Sequence, residues 1–135
     1  MKKIINIEGK KIGHNYPVFT IGEIGSNHNR SKKTVINLIN ACSEAGFDAV
    51  KFQIYDAEEA FSKKETTKDV KLNKLYGLKP WWKVARDKIL MPREWFGEMF
   101  DYVRKKKMIP LSAIHRLEDL EFLKKFGLSA IKIAS

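Results

Sequence analysis

Residues 20–30 read TIGEIGSNHNR. The stretch begins as a buried strand does, with Phe19, Ile21 and Ile24 set among small residues, and then breaks into Gly25-Ser26-Asn27-His28-Asn29. A core strand does not bury a carboxylate such as Glu23 without a partner or a task. Whether these polar groups face a core or a ligand depends on the architecture around them.

Working outward, residues 3–13 predict a small hairpin, with Ile4, Ile5 and Ile7 before Glu8-Gly9 and Ile12 after it. Residues 17–25 are the first buried strand. Ser31 is placed to cap a helix whose apolar positions are Val35, Leu38, Ile39, Cys42 and Ala45, with Gly46 as its stop. Residues 48–54, DAVKFQI, are the second strand, nearly continuously apolar apart from Lys51 and Gln53. Residues 55–91 are irregular and predict an excursion with one or two short helical pieces. Pro92 suits a helix start, and Trp95, Phe96, Met99, Phe100 and Val103 give that helix one apolar face. Residues 108–114 are the third strand. Leu117, Leu120, Leu123 and Phe126 predict another helix closed by Gly127, and residues 129–135 are the fourth strand.

The bulk composition bounds the partners. The chain has 135 residues, 44% hydrophobic and 31% charged, as expected of one globular domain. No apolar run approaches the ~20 residues of a membrane span. The start, MKKIINIEGKK, is too briefly apolar for a signal peptide, so a cytoplasmic protein is expected. The single cysteine, Cys42, excludes an internal disulfide. The net charge of +10 is compatible with an anionic ligand. Acidic residues are interspersed with the lysines, however, and no nucleic-acid-binding signature is present, so neither a nucleic-acid nor a membrane partner is expected.

Strands alternating with helices mean parallel βαβ units, α/β in class, and two architectures compete: an open doubly wound sheet and a (β/α)₈ barrel of the TIM type. Polar residues gather at the C-terminal ends of the strands: Glu23 and Asn27-His28-Asn29, Lys51 and Gln53, Ser112 and His115, Lys132 and Ser135. GEIGSNHN is not the dinucleotide fingerprint, and no Walker pattern appears. That favours the barrel, whose strands point side chains into one mouth. Glu23 and the Asn-His-Asn cluster then face ligand, and the polar interruption is a site.

IGEIGSNHN, AGFDAVKFQ and KIAS, in this order and spacing, resemble the sialic acid synthase family, which includes N-acetylneuraminate, legionaminate and pseudaminate synthases. The resemblance covers the whole chain but only the first half of the family's catalytic barrel. Residues 1–135 are therefore expected to be one incomplete domain. It implies condensation of phosphoenolpyruvate with an N-acylmannosamine-type amino sugar, releasing phosphate and forming a nine-carbon 2-keto acid. It also implies a homodimer when complete, and a divalent metal, manganese, that polarises the aldehyde. The family's metal-binding histidines lie on later strands. By resemblance, Glu23, Lys51 and Lys132 are the catalytic residues, the two lysines gripping phosphate or carboxylate. Asn27, His28, Asn29, Gln53, Ser112 and Ser135 are substrate-binding, His28 either touching substrate or bracing the mouth.

The departures from the pattern carry expectations too. Arg30 stands where the family has glycine, so the turn must avoid a positive φ or strain to take one. The Ser-Thr-Pro-Phe block reads Ser112-Ala113-Ile114-His115, which loses a hydroxyl at Ala113. His115 has no counterpart in the pattern and is expected to face solvent, as is His14. Trp81 and Trp82 either cap substrate or pack, and Cys42 is expected in the core. Four strands cannot close a barrel of about 200 residues or more. A fragment of a full synthase, a half-barrel completed by a partner or by itself, and a degenerate binding relative all fit; the fragment is favoured.

Overall fold

The computed structural model describes residues 3–134. A two-stranded antiparallel hairpin, β1 (Ile5–Ile7) and β2 (Lys10–Ile12), precedes a four-stranded parallel sheet. The sheet strands are β3 (Ile21–Gly25), β4 (Ala49–Gln53), β5 (Ile109–Ile114) and β6 (Ile131–Ile133), side by side in chain order. Between them run helices α1 (Lys32–Glu44), α5 (Phe96–Lys105) and α6 (Leu117–Lys124). The Ser31 hydroxyl accepts the Thr34 N–H at 3.2 Å, capping α1 as the sequence predicts.

One apolar cluster contains Ile24, Val50, Phe52 and Ile114 of the strands together with Val35 and Ile39 of α1, Phe96, Met99, Phe100 and Val103 of α5, and Leu123 of α6. Phe52 meets Phe100 edge to face at 5.6 Å. All three long helices therefore cover the same sheet face. A doubly wound sheet reverses its strand order and carries helices on both faces; this one does neither. Sequential order with helices on one side is the wall of a (β/α)₈ barrel.

The opposite sheet face is the barrel interior. Near the N-terminal ends of the strands it is filled by Ala49, Ile109 and Leu111, with Ile7 of the hairpin, Phe19 and Ala130 packed on them. Asp48 pins the hairpin there, accepting from Lys10 Nζ at 2.8 Å and from the Thr20 N–H at 2.9 Å. Those two donors hold its carboxyl below the usual carboxylate range. The hairpin thus covers the N-terminal ends of these strands on their interior face.

The helix face depends on one absent side chain. A Cβ on Gly22 would lie 2.4 Å from Cys42 Sγ, so glycine is what allows α1 to press onto β3. Gly22→Ala is expected to destabilise the protein by about 1–3 kcal/mol. Adding Cys42→Ala should restore part of that loss, read as a favourable coupling in a denaturant double-mutant cycle. Additive effects would mean that the helix is not wedged by this contact.

Several elements differ from the sequence-based expectation. The excursion holds three short helices, α2 (Ala57–Ala60), α3 (Asn73–Tyr76) and α4 (Trp81–Val84), the last running into a π turn over Ala85–Ile89. Trp81 packs edge-on against Phe61 at 5.7 Å, and Lys63, Lys83 and Arg86 lie over the half-buried Trp82 ring. In α6, Leu117 is 75% exposed, whereas Asp119 is fully buried. Asp119 goes inside because Arg93 and Arg116 meet its Oδ1 at 2.5 and 3.5 Å, and a paired carboxylate can be buried where a lone one cannot. No helix among the described residues is long and apolar enough to cross a membrane.

Candidate functional site

Side chains alternate between the two faces of a strand, and paired residues of parallel neighbours share a face. Glu23 pairs with Lys51, and Lys51 with Leu111. One step nearer the open end, Gln53 pairs with Ala113, and Ala113 with Lys132. These two rungs lie on the interior face of the barrel. Glu23, Lys51, Gln53 and Lys132 are thereby brought to one surface from three strands that neighbour or alternate in the sheet.

The Glu23 carboxylate and the Lys51 ammonium form a direct ion pair. The answer to the glutamate inside an apolar strand is thus a lysine 28 residues away in sequence. The pair is unequally exposed: 15% for the Lys51 side chain and 45% for Glu23. The lysine is sheltered and the carboxylate reaches outward. Gly25, at φ +51°, bends the strand beside it; a Cβ there would stand 3.1 Å from Glu23 Oε1.

Beyond Gly25 the chain turns, with the Asn27 N–H donating to the Ile24 carbonyl at 2.9 Å and the Ser31 N–H to the His28 carbonyl at 2.9 Å. Asn27 and Asn29 are exposed at the rim. His28 is fully buried, not open to the mouth. Its Nδ1 accepts the Arg30 N–H at 3.0 Å, so the proton of the neutral ring sits on Nε2. Burial, and secondarily the charge of Arg30, push its pKa down. The ring thus ties the turn through Nδ1, while its buried Nε2 meets no hydrogen-bond partner among the described residues. Asn29 and Arg30 both adopt positive φ, +48° and +51°. Arg30 therefore takes the strain that glycine would avoid. Its guanidinium donates to the carbonyls of Arg86 and, at 3.3 Å, Leu90, tying the turn to the excursion.

Ser112 is not in the mouth. Its register partners are Phe52 and Ile131, which face the helices, and its hydroxyl donates to the Ala113 carbonyl at 3.1 Å. Residue parity puts Ala113, without a hydroxyl, at the interior position instead. Ser135 lies outside the described residues. Lys132 is exposed on β6. His14 is exposed, and Cys42 is half-buried against the core with its thiol pKa raised by burial.

A cleft of about 590 Å³ opens at the C-terminal ends of β4 and β5, lined by Gln53, Tyr55, Asp56, Glu59, His115 and Arg116 among others. His115 is exposed as expected, yet it borders this cleft. Its place directly after a strand's C-terminal end is the sequence signal for this, against which its lack of a counterpart in the family pattern weighs. Among the described residues no three His, Cys, Asp or Glu side chains gather to hold a metal ion. The described residues therefore do not fit the implied manganese.

An α/β wall of TIM-barrel type, with a charge pair and polar side chains at its C-terminal rim, defines the class of protein. The chain belongs to the NeuB family, whose model matches residues 38–135. It is 35% identical over 135 residues to the spore coat polysaccharide biosynthesis protein SpsE of Bacillus subtilis, covering 96% of this chain and 34% of that protein. It is 32% identical over 127 residues to a pseudaminic acid synthase of Campylobacter jejuni, covering 87% and 34%. Among solved structures, it superposes on the N-acetylneuraminic acid synthetase of Leptospira borgpetersenii, in complex with citrate, with a TM-score of 0.76. There the identity is 28%, over 98% of this chain and 41% of that one. The SpsE crystal structure gives 0.72 at 32% identity, over 98% of this chain and 34% of that one. The chain thus spans about a third of the length of these curated relatives.

Proposed function

We propose that this chain forms part of a synthase of sugar-acid biosynthesis that condenses phosphoenolpyruvate with an N-acylmannosamine-type amino sugar. The observation that carries the reading is the Glu23–Lys51 pair on the interior face, with Gln53 and Lys132 one rung above it. Phosphoenolpyruvate carries about three negative charges, so its site needs fixed cations. Lys51 and Lys132 supply two. The strands that carry them are two positions apart in the sheet, roughly 10 Å.

In this reading the phosphate or carboxylate of the ligand competes with Glu23 for Lys51 and frees the carboxylate. The terminal methylene carbon of phosphoenolpyruvate, its carbon–carbon π bond opening, forms a bond to the sugar aldehyde carbon, whose π electrons pass to the oxygen, which takes a proton from solvent. Positive charge develops at the carbon bearing the phosphate. Glu23 stabilises that charge and takes the proton of the water that attacks there. The carbon–oxygen bond to phosphate then breaks as the new hydroxyl gives its proton to the departing phosphate, leaving inorganic phosphate and the 2-keto acid. Manganese, where the complete enzyme uses it, has no ligand set among the described residues. Dimerisation of the complete enzyme is part of the same proposal.

The test is phosphate release from phosphoenolpyruvate by the purified complete protein that carries these residues. Release is expected from it only when both an amino sugar and manganese are present. Release without the sugar would reject the condensation. A second reading has one observation in its favour, the bare Ala113 on the upper rung. It is an anion-binding relative without turnover, and it predicts calorimetric binding of phosphoenolpyruvate with no phosphate released.

A further inference from the structure

We propose that His115 is a specificity-determining residue whose Nε2 accepts a hydrogen bond from a hydroxyl of the acceptor sugar, bound in the cleft at the ends of β4 and β5. This rests on the synthase reading for the identity of the sugar. It goes beyond that reading in naming where the sugar sits and which side chain senses it.

The geometry fixes the tautomer of the neutral ring. His115 Nδ1 lies 3.1 Å from the Ile54 carbonyl oxygen. A carbonyl only accepts, so Nδ1 carries the proton, and Nε2 of the neutral ring is an acceptor. The imidazole also meets Tyr55 edge-on at 5.1 Å, so it is held from two sides.

The chemistry of the cleft selects a polyol over a polyanion. Its one guanidinium, Arg116, is already paired with Glu59 at 2.7 Å, Asp119 at 3.5 Å and Asp56 at 4.0 Å. Asp56 and Glu59 repel phosphate but accept hydroxyl protons. Two aromatic rings, Tyr55 and Phe61, offer apolar faces suited to sugar C–H groups. The size, about 590 Å³, holds one hexose with an acyl substituent. Gln53 lines the cleft and stands on the interior rung above Lys51. It joins the sugar side to the anion side, so the two reactants would meet at Gln53.

Two isosteric changes separate the bonds of this ring. The amide nitrogen of asparagine reproduces the Nδ1 donor and keeps the tie to Ile54; the amide oxygen of the longer glutamine reproduces the Nε2 acceptor and keeps the bond to ligand. The expected result for H115N is an acceptor-sugar KM raised about 5–10-fold, with the KM for phosphoenolpyruvate unchanged. H115Q should retain a near-normal sugar KM. A general structural defect would move both constants together. An unchanged sugar KM in H115N overturns the inference and leaves the synthase reading standing. If the unaltered protein releases no phosphate with any amino sugar, the synthase reading fails separately. The inference is then decided by titration with N-acetylmannosamine: weaker binding to H115N supports it, and equal or absent binding to both proteins overturns it.

Discussion

Lys51→Met is expected to lower kcat/KM for phosphoenolpyruvate by about 10²–10³-fold, the usual effect of removing one preorganised charged donor from an enclosed site. The reason is local. Lys51 is the sheltered member of its ion pair, 15% exposed, and its ammonium is held on the interior face by strand register. Methionine keeps the apolar stem and loses the charge. The Glu23 left behind is 45% exposed and can be hydrated, so the melting temperature should move by no more than a few degrees. Steady-state phosphate release alongside a thermal melt checks both halves. Unchanged turnover in a folded variant would remove Lys51 from the site.

Glu23→Gln is expected to act differently on the same pair. Turnover should fall by about 10²–10⁴-fold, the range for a positioned general base. The KM for phosphoenolpyruvate should stay level or fall, because Lys51 loses the internal carboxylate that competes with the ligand. The stability cost should exceed that of Lys51→Met, since the partner now left unpaired is the shielded one. The two variants together read as a signature: binding lost with stability kept in one, chemistry lost with binding kept in the other. Equal losses of kcat and binding in both would mean that the pair is a structural tie.

Much of the wall was legible from local pattern. Ser31 caps α1, Gly46 and Gly127 follow their helices at positive φ, and Phe96, Met99, Phe100 and Val103 bury one face of α5. Such features depend on residues within a turn or two of one another, and periodicity reports them directly. Leu117 shows where that stops. Its spacing from Leu120 and Leu123 fits an apolar stripe, but burial went to Asp119 because Arg93, 26 residues away, reaches it.

The site followed the same division. Sequence alone determined the parallel βαβ order, the strand ends at which polar residues collect, and the placement of Glu23, Lys51 and Gln53 among them. Tertiary structure alone decided which of these share a face. Side-chain direction reverses with every residue along a strand, so only register separates interior Ala113 and Lys132 from Ser112, which faces the helices. The Glu23–Lys51 pair, the burial of His28 and the cleft at His115 likewise arise from contacts between distant segments. Their energies depend on distances that the folded sheet sets and that spacing along the chain does not encode.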